Sequence, residues 1–157
     1  MHRHINVRGI IINDKGELFC QRLTARNGDG RDFWCTPGGG LELGESVLDG
    51  LRREMIEETG VEPVIGQLLF VHQFAIATPT VDEPREQLEL LFHITNWQDY
   101  QSVDLATTTH GLAEVAECGF INPQQHPILP HFLAEVDLAQ LIAHNQPVQC
   151  ISSLAQD

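Results

Sequence analysis

Positive charge is scarce in this chain. Nine Lys and Arg stand against 22 Asp and Glu in 157 residues, a net charge of −13 with a pI near 4.8. No basic patch is available to neutralise a phosphate backbone, so duplex nucleic acid and anionic membranes are excluded as partners. A small phosphate-bearing substrate is not excluded, because a bound cation inverts the local sign of an acidic site. Long apolar runs are missing too: none approaches the ~18 residues of a membrane span. The N-terminus, Met-His-Arg-His, lacks a secretory pattern, and cytoplasm is the expected location. Cys20, Cys35, Cys118 and Cys150 form no close pair and read as free thiols in a reducing compartment. The histidines are dispersed; His2 and His4, alternating on a strand-like segment, are a weak two-His metal pair at most.

What is there is ordinary globular composition, 42% hydrophobic and 20% charged, in 17.5 kDa. That suffices for one domain over 1–157, with a core near 5–145 and no repeat or linker. Ile5 to Ile12 and Glu17 to Arg22 flank the turn Asn13-Asp14-Lys15-Gly16 and read as a hairpin. Thr24 to Asp32 is a surface loop, and Phe33 to Thr36 is a short strand entering Pro37-Gly38-Gly39-Gly40. Val64 to Ala77 is a β segment long enough for a bulge. Thr78 to Arg85, with Pro79 and Pro84, is a loop, and Gln87 to Thr95 a further strand. Asp99 to Gly111 is loop-like, and Ala113 to Ile121 is mostly strand. His131 to His144 reads as a second amphipathic helix ended by Pro147, and residues 148–157 as a mobile tail or an oligomer contact such as a homodimer. The sum is an α+β fold.

One stretch carries chemistry. From Gly39 to Val61 the chain follows Gly-x5-Glu45-x7-Arg53-Glu54-Met55-x-Glu57-Glu58-x-Gly60-Val61. Ser46 and Asp49 form a capping pair that opens a helix, and Gly60 supplies the left-handed residue that closes it. At ~100° per residue, Glu54, Glu57 and Glu58 fall within an arc of about 100°. An apolar stripe of Val47, Leu48, Leu51 and Met55 borders that arc. Like charges at i,i+3 and i,i+4 repel, and Arg53 alone does not neutralise all three glutamates. A bound divalent cation explains the cluster better than a solvated face does. Hard oxygen ligands without thiols point to Mg²⁺, with Mn²⁺ as its substitute.

The stretch resembles the signature of the Nudix hydrolases. Its seven fixed positions are all met; at ~7% usage per residue type, chance agreement is about one in 10⁸. Met55 alone departs, where the family prefers a branched aliphatic. The resemblance implies an α/β/α sandwich with a mixed sheet and hydrolysis of a nucleoside diphosphate linked to another moiety. It assigns Glu54, Glu57 and Glu58 to metal binding and water activation, completed by a backbone carbonyl of Gly38 or Gly39. Glu45 would reach the metal through water, and Arg53 would orient the glutamates. The general base is Glu54 in some branches and lies on a downstream loop in others. Glu114 and Glu117 are the first downstream candidates here, with Glu83, Glu86 and Glu89 behind them. Arg22 is a candidate for substrate phosphate and Trp34 for stacking on a base.

Marks that separate the family's branches are missing. The single tyrosine, Tyr100, lies too far from the box for a diadenosine-polyphosphate enzyme, and Pro79 falls a little late for an ADP-ribose enzyme. Neither the NADH array nor the coenzyme A pattern is met. A small nucleoside triphosphate is therefore the expected substrate, with ADP-ribose or another sugar nucleotide next. A catalytically silent nucleotide-binding module is the reading from another class.

Overall fold

A computed structural model describes residues 2–25, 30–76 and 85–154, without the side chains of residues 2 and 112. The expected loop with Pro79, Glu83 and Pro84 lies outside these residues, as does the side chain of His2. Two sheets carry the fold. The first has five strands in the order β4 (Gly38–Gly40), β1 (His2–Ile10), β6 (Arg85–Ile94), β5 (Ile65–Ile76), β9 (Gln149–Ser153). It is mixed: β1–β6 and β5–β9 run parallel, β1–β4 and β5–β6 antiparallel. The second has the order β7 (Val115–Ile121), β2 (Leu18–Leu23), β3 (Trp34–Cys35), β8 (Ile128–Leu129).

The expected hairpin is instead a corner between sheets. Ile10 and Ile11 are both fully buried, as are Leu18, Phe19 and Cys20 to within 1%. Strands apolar on both faces need cover on both faces, which a two-stranded ribbon does not offer. Accordingly β1 lies inside one sheet and β2 inside the other. The two meet at the Ile12–Leu18 bridge, where the Phe19 N–H donates to the Ile11 carbonyl at 2.9 Å and the Asn13 N–H to the Glu17 carbonyl at 3.0 Å. Alternation sends Ile10, Leu18 and Cys20 into one core cluster and Ile11 and Phe19 into the other.

Helix α1 (Val47–Thr59) covers the second cluster through Leu51 and Met55, both fully buried. Truncating either to Ala would cost about 2–5 kcal/mol. Its capping pair forms as expected: Ser46 Oγ accepts the Asp49 N–H at 3.2 Å and donates to Asp49 Oδ2 at 2.6 Å. Gly60, at φ 72°, donates its N–H to the Ile56 carbonyl and ends the helix. Leu48 does not join the stripe and stays 47% exposed.

The opposite layer covers the first cluster. There the expected helix from His131 to His144 is broken into a 3-10 turn, His131–Ala134, and α3 (Leu138–Ala143). Asp137 breaks it by accepting the Gln140 N–H on its side chain, a role that short acidic side chains fill better than a helix interior. Leu133, Leu138 and Leu141 still reach the core. Residues 97–102 and 105–107, read as loop, form 3-10 turns, followed by the short helix α2 (Gly111–Glu114). The supposed tail is structural over 149–153, where β9 pairs with β5. The long β5 bulges between Ile65 and Phe70, as its length suggests. No helix among the described residues is long and apolar enough to cross a membrane. The result is an α+β, α/β/α sandwich.

Gly38 is packed hard against the backbone of β1. It sits at φ +129°, and a Cβ there would run into the Val7 carbonyl oxygen of the neighbouring strand. Gly38→Ala should therefore lower stability by about 2 kcal/mol or more in urea denaturation; an unchanged midpoint would contradict the tight β1–β4 contact.

Candidate active site

The carboxylates of α1 rise beside the glycine strand β4. Arg53 is the cation they gather around. Its Nη1 donates to Glu54 Oε1 at 2.7 Å and to Glu57 Oε2 at 3.2 Å. Its Nε and Nη2 grip both oxygens of Glu45 at 2.8 and 2.9 Å, and Nη2 also donates to the Gly40 carbonyl at 2.9 Å. This two-pronged geometry holds the Glu45 carboxyl down to about 2, with the Arg53 hydrogen bonds as the main cause.

Glu58 points the other way, into the fold, and is only 5% exposed. Its Oε2 accepts the Gly38 N–H and the Gln21 side-chain amide, each at 2.8 Å. Burial nevertheless pushes this carboxyl up to about 7, against the pull of Gly38, Gln21 and Arg8. Burial also raises Glu54, opposed by Arg53.

Each of the three glutamates spends one oxygen on the protein and keeps the other without a hydrogen-bond partner among the described residues: Glu54 Oε2, Glu57 Oε1 and Glu58 Oε1. Gly39 leaves room at this point, since a Cβ there would lie 2.5 Å from Glu54 Oε2. Hard oxygens and an open cradle suit Mg²⁺ or Mn²⁺. Among the described residues no three His, Cys, Asp or Glu side chains already converge as a preformed metal cage.

The remaining candidates separate. Glu114, on α2, lies 4.0 Å from His110 Nδ1, which is itself 3.5 Å from Glu57, and its charge acts on Glu54. Glu117 is on the other side of the sheet, paired with Arg22 at 2.7 Å. Strand alternation is the reason: Gln21 faces Glu58, so Arg22 and its partner face away. Trp34 is 9% exposed within the first core cluster, with the Arg22 guanidinium 5.5 Å from its ring. An indole so covered has no face left for a base, so the expected stacking role does not fit its placement. Glu86 pairs with Arg3 at 2.7 Å. Glu89 is 3% exposed and paired with Arg8 at 2.6 Å, set in the wall of a cleft.

Two residues escaped the sequence reading. Gln21, next to the highlighted Arg22, clamps Glu58. Arg8, mid-strand in β1, donates to the Thr36 carbonyl at 2.8 Å and reaches that of Gly38 at 3.4 Å. A charged residue between Val7 and Ile10, both fully buried, was the available signal. Arg8 also lines a cleft of about 510 Å³ with Phe33, Phe74, Phe132, His72 and Glu89. Gly38 thus meets the cleft through Arg8 and the glutamates through Glu58.

The NUDIX domain model matches residues 2–143, taking in the second sheet, every strand of the first but β9, α1 and the glutamate cluster. The chain belongs to the Nudix family. This Nudix chain is 37% identical over 59 residues to an RNA pyrophosphohydrolase of Campylobacter jejuni, 38% of each protein. It is 36% identical over 72 residues to an ADP-ribose pyrophosphatase of Methanocaldococcus jannaschii, 46% of this chain and 41% of that one. The matches thus span about two fifths of the length of these curated relatives. In structure it is similar to the Escherichia coli ORF135 protein, with a TM-score of 0.65 at 22% identity over 92% of this chain and 94% of that one. That likeness concerns the Nudix fold alone.

Glu58 makes the stability of the metal-free protein depend on pH. Its carboxyl is raised from 4.5 to about 7 on folding, so the stabilisation present below pH 4.5 is lost as pH climbs through 7. Between pH 5 and 8 the wild type should lose on the order of 2–3 kcal/mol more than Glu58→Gln, measured by urea unfolding. Parallel pH profiles for the two proteins would contradict this.

Proposed function

We propose that this Nudix chain is a Mg²⁺-dependent hydrolase that splits a phosphoric anhydride in a nucleoside diphosphate linked to another moiety. A small nucleoside triphosphate is the first choice of substrate. The observation that carries this reading is the set of three glutamates, each with one oxygen held and one free, beside a glycine strand that borders an aromatic cleft. The four cysteines are free thiols, in keeping with a reducing compartment such as cytoplasm.

Glu54, Glu57, Glu58 and the carbonyl of Gly38 or Gly39 would hold the cation. When bound, it supplies charge neutralisation on the phosphates and an acidified water. The protein's own part is positioning. Arg53 holds Glu54 and Glu57 in register with Glu45 as its counterweight. Gln21 and the Gly38 N–H fix Glu58 through Oε2, so Oε1 keeps its acceptor capacity among the described residues. The cleft takes the organic part of the substrate, with Arg8 between it and the glutamates. Glu114 is the downstream group suited to receive the proton of the attacking water, and Glu54 is the alternative on the helix itself. The match to the archaeal ADP-ribose pyrophosphatase favours a sugar nucleotide as the second substrate class.

Phosphate release from a nucleotide panel, with and without Mg²⁺ and with products identified, tests the reading. Glu57→Gln and Glu58→Gln should each lower turnover by orders of magnitude at unchanged circular dichroism. Wild-type-like rates in both would remove the metal-site assignment. Silence across the whole panel would favour a binding module. Glu114→Gln should lower kcat with little change in Mg²⁺ affinity, and an unaffected rate would leave Glu54 as the base.

A further inference from the structure

The cleft has a polar corner in a wall that mixes aliphatic side chains with the rings of Phe33, Phe74 and Phe132. Its floor is the face of the five-stranded sheet that presents Arg8, Gln87, Glu89, His72 and Phe74. His72 lies 4.7 Å from Phe74 in a stacked pair and 5.1 Å from Phe132 edge-on. These rings suit a flat, π-faced group.

Glu89 Oε1 accepts from Arg8 Nε at 2.6 Å. Its Oε2 faces His72 Nδ1 at 3.6 Å, beyond a good hydrogen bond, and accepts no other among the described residues. His72 is 4% exposed, its Nε2 is engaged with Ser153 Oγ at 3.1 Å, and its Nδ1 makes no hydrogen bond among the described residues. An ionised carboxylate offers about four acceptor sites, so Oε2 has capacity to spare whichever ring nitrogen carries the proton. Two residues along the same strand, Gln87 accepts from Asn6 Nδ2 on its Oε1 at 3.0 Å. Its Nε2 donates to nothing among the described residues. The corner therefore sets an unspent acceptor beside an unspent donor on one face of β6.

We propose that Glu89 and Gln87 select a guanine edge, Glu89 accepting the ring N–H and exocyclic amine and Gln87 donating to the neighbouring carbonyl. This deepens the nucleotide-hydrolase reading and rests on it. An adenine edge would turn its ring acceptor toward the Glu89 carboxylate, and two acceptors facing one another in a buried cleft are costly. A ribose diol would also satisfy the carboxylate, but the rings around Glu89 suit the planar part of the nucleotide.

The test measures kcat/KM of the wild type for GTP, dGTP, ITP and ATP at one Mg²⁺ concentration, and Kd for GMP and AMP by calorimetry. GTP and dGTP should be equivalent, ITP about tenfold poorer, and ATP poorer again by roughly tenfold or more. GMP should bind more tightly than AMP by a similar factor. Glu89→Gln should bring the GTP:ATP ratio towards one; if that variant does not fold, Gln87→Leu should lower the same ratio. Equal kcat/KM for GTP and ATP, or a preference that follows the ribose hydroxyl and ignores the base, overturns the proposal. Silence with every triphosphate would count against the hydrolase reading, and GMP against AMP binding then decides this proposal, equal Kd overturning it.

Discussion

A half-buried guanidinium surrounded by carboxylates is the interaction on which this site depends. Glu54, Glu57 and Glu58 crowd the C-terminal half of α1, with Glu45 just ahead of its start, and like charges at that spacing disfavour the helix that carries them. Arg53 resolves the conflict by touching Glu45, Glu54 and Glu57 together with the Gly40 carbonyl. Three side chains and a strand are tied to one planar cation, which has five donors in fixed directions. Because Arg53 takes only one oxygen from Glu54 and one from Glu57, neutralising the cluster does not use it up.

Glu58 obeys a different logic. It is not reached by Arg53 and sits where water does not compensate its charge. Backbone and amide donors take that role, and its raised carboxyl records how incompletely they succeed. A divalent cation on its free oxygen would complete what those donors begin. The arrangement carries an electrostatic cost that a bound cation would relieve, as is usual where acidic groups are gathered for function.

Much of the helix was legible beforehand, because the information is local. Ser46, Asp49 and Gly60 act within a few residues, and each does what the spacing implies for the ends of the helix. The long-range parts were not. Nothing in the turn at Asn13 to Gly16 says that its two strands enter different sheets; that follows from their being buried on both faces, a property of partners far along the chain. Gln21 and Arg22 show the same limit at one-residue resolution. Which of the two faces Glu58 depends on the register with β7 and β3, and the more conspicuous charge drew attention to the wrong face. Glu89 stands only as a rear candidate for the base in the sequence because its partners, Arg8 and His72, lie 81 and 17 positions away.

Gly38 has Glu58 on its amide and Arg8 near its carbonyl, so one residue without a side chain is all that separates the cleft from the acid helix. Such thinness has an evolutionary consequence. Substitutions that reshape the cleft through Arg8 disturb the seat of Glu58 in the same stroke. New substrate preferences in this lineage are then easier to reach from the far wall, at Phe33, Phe132 or β9, where nothing leans on the glycine strand. The side nearest the reacting bond is the side least free to drift.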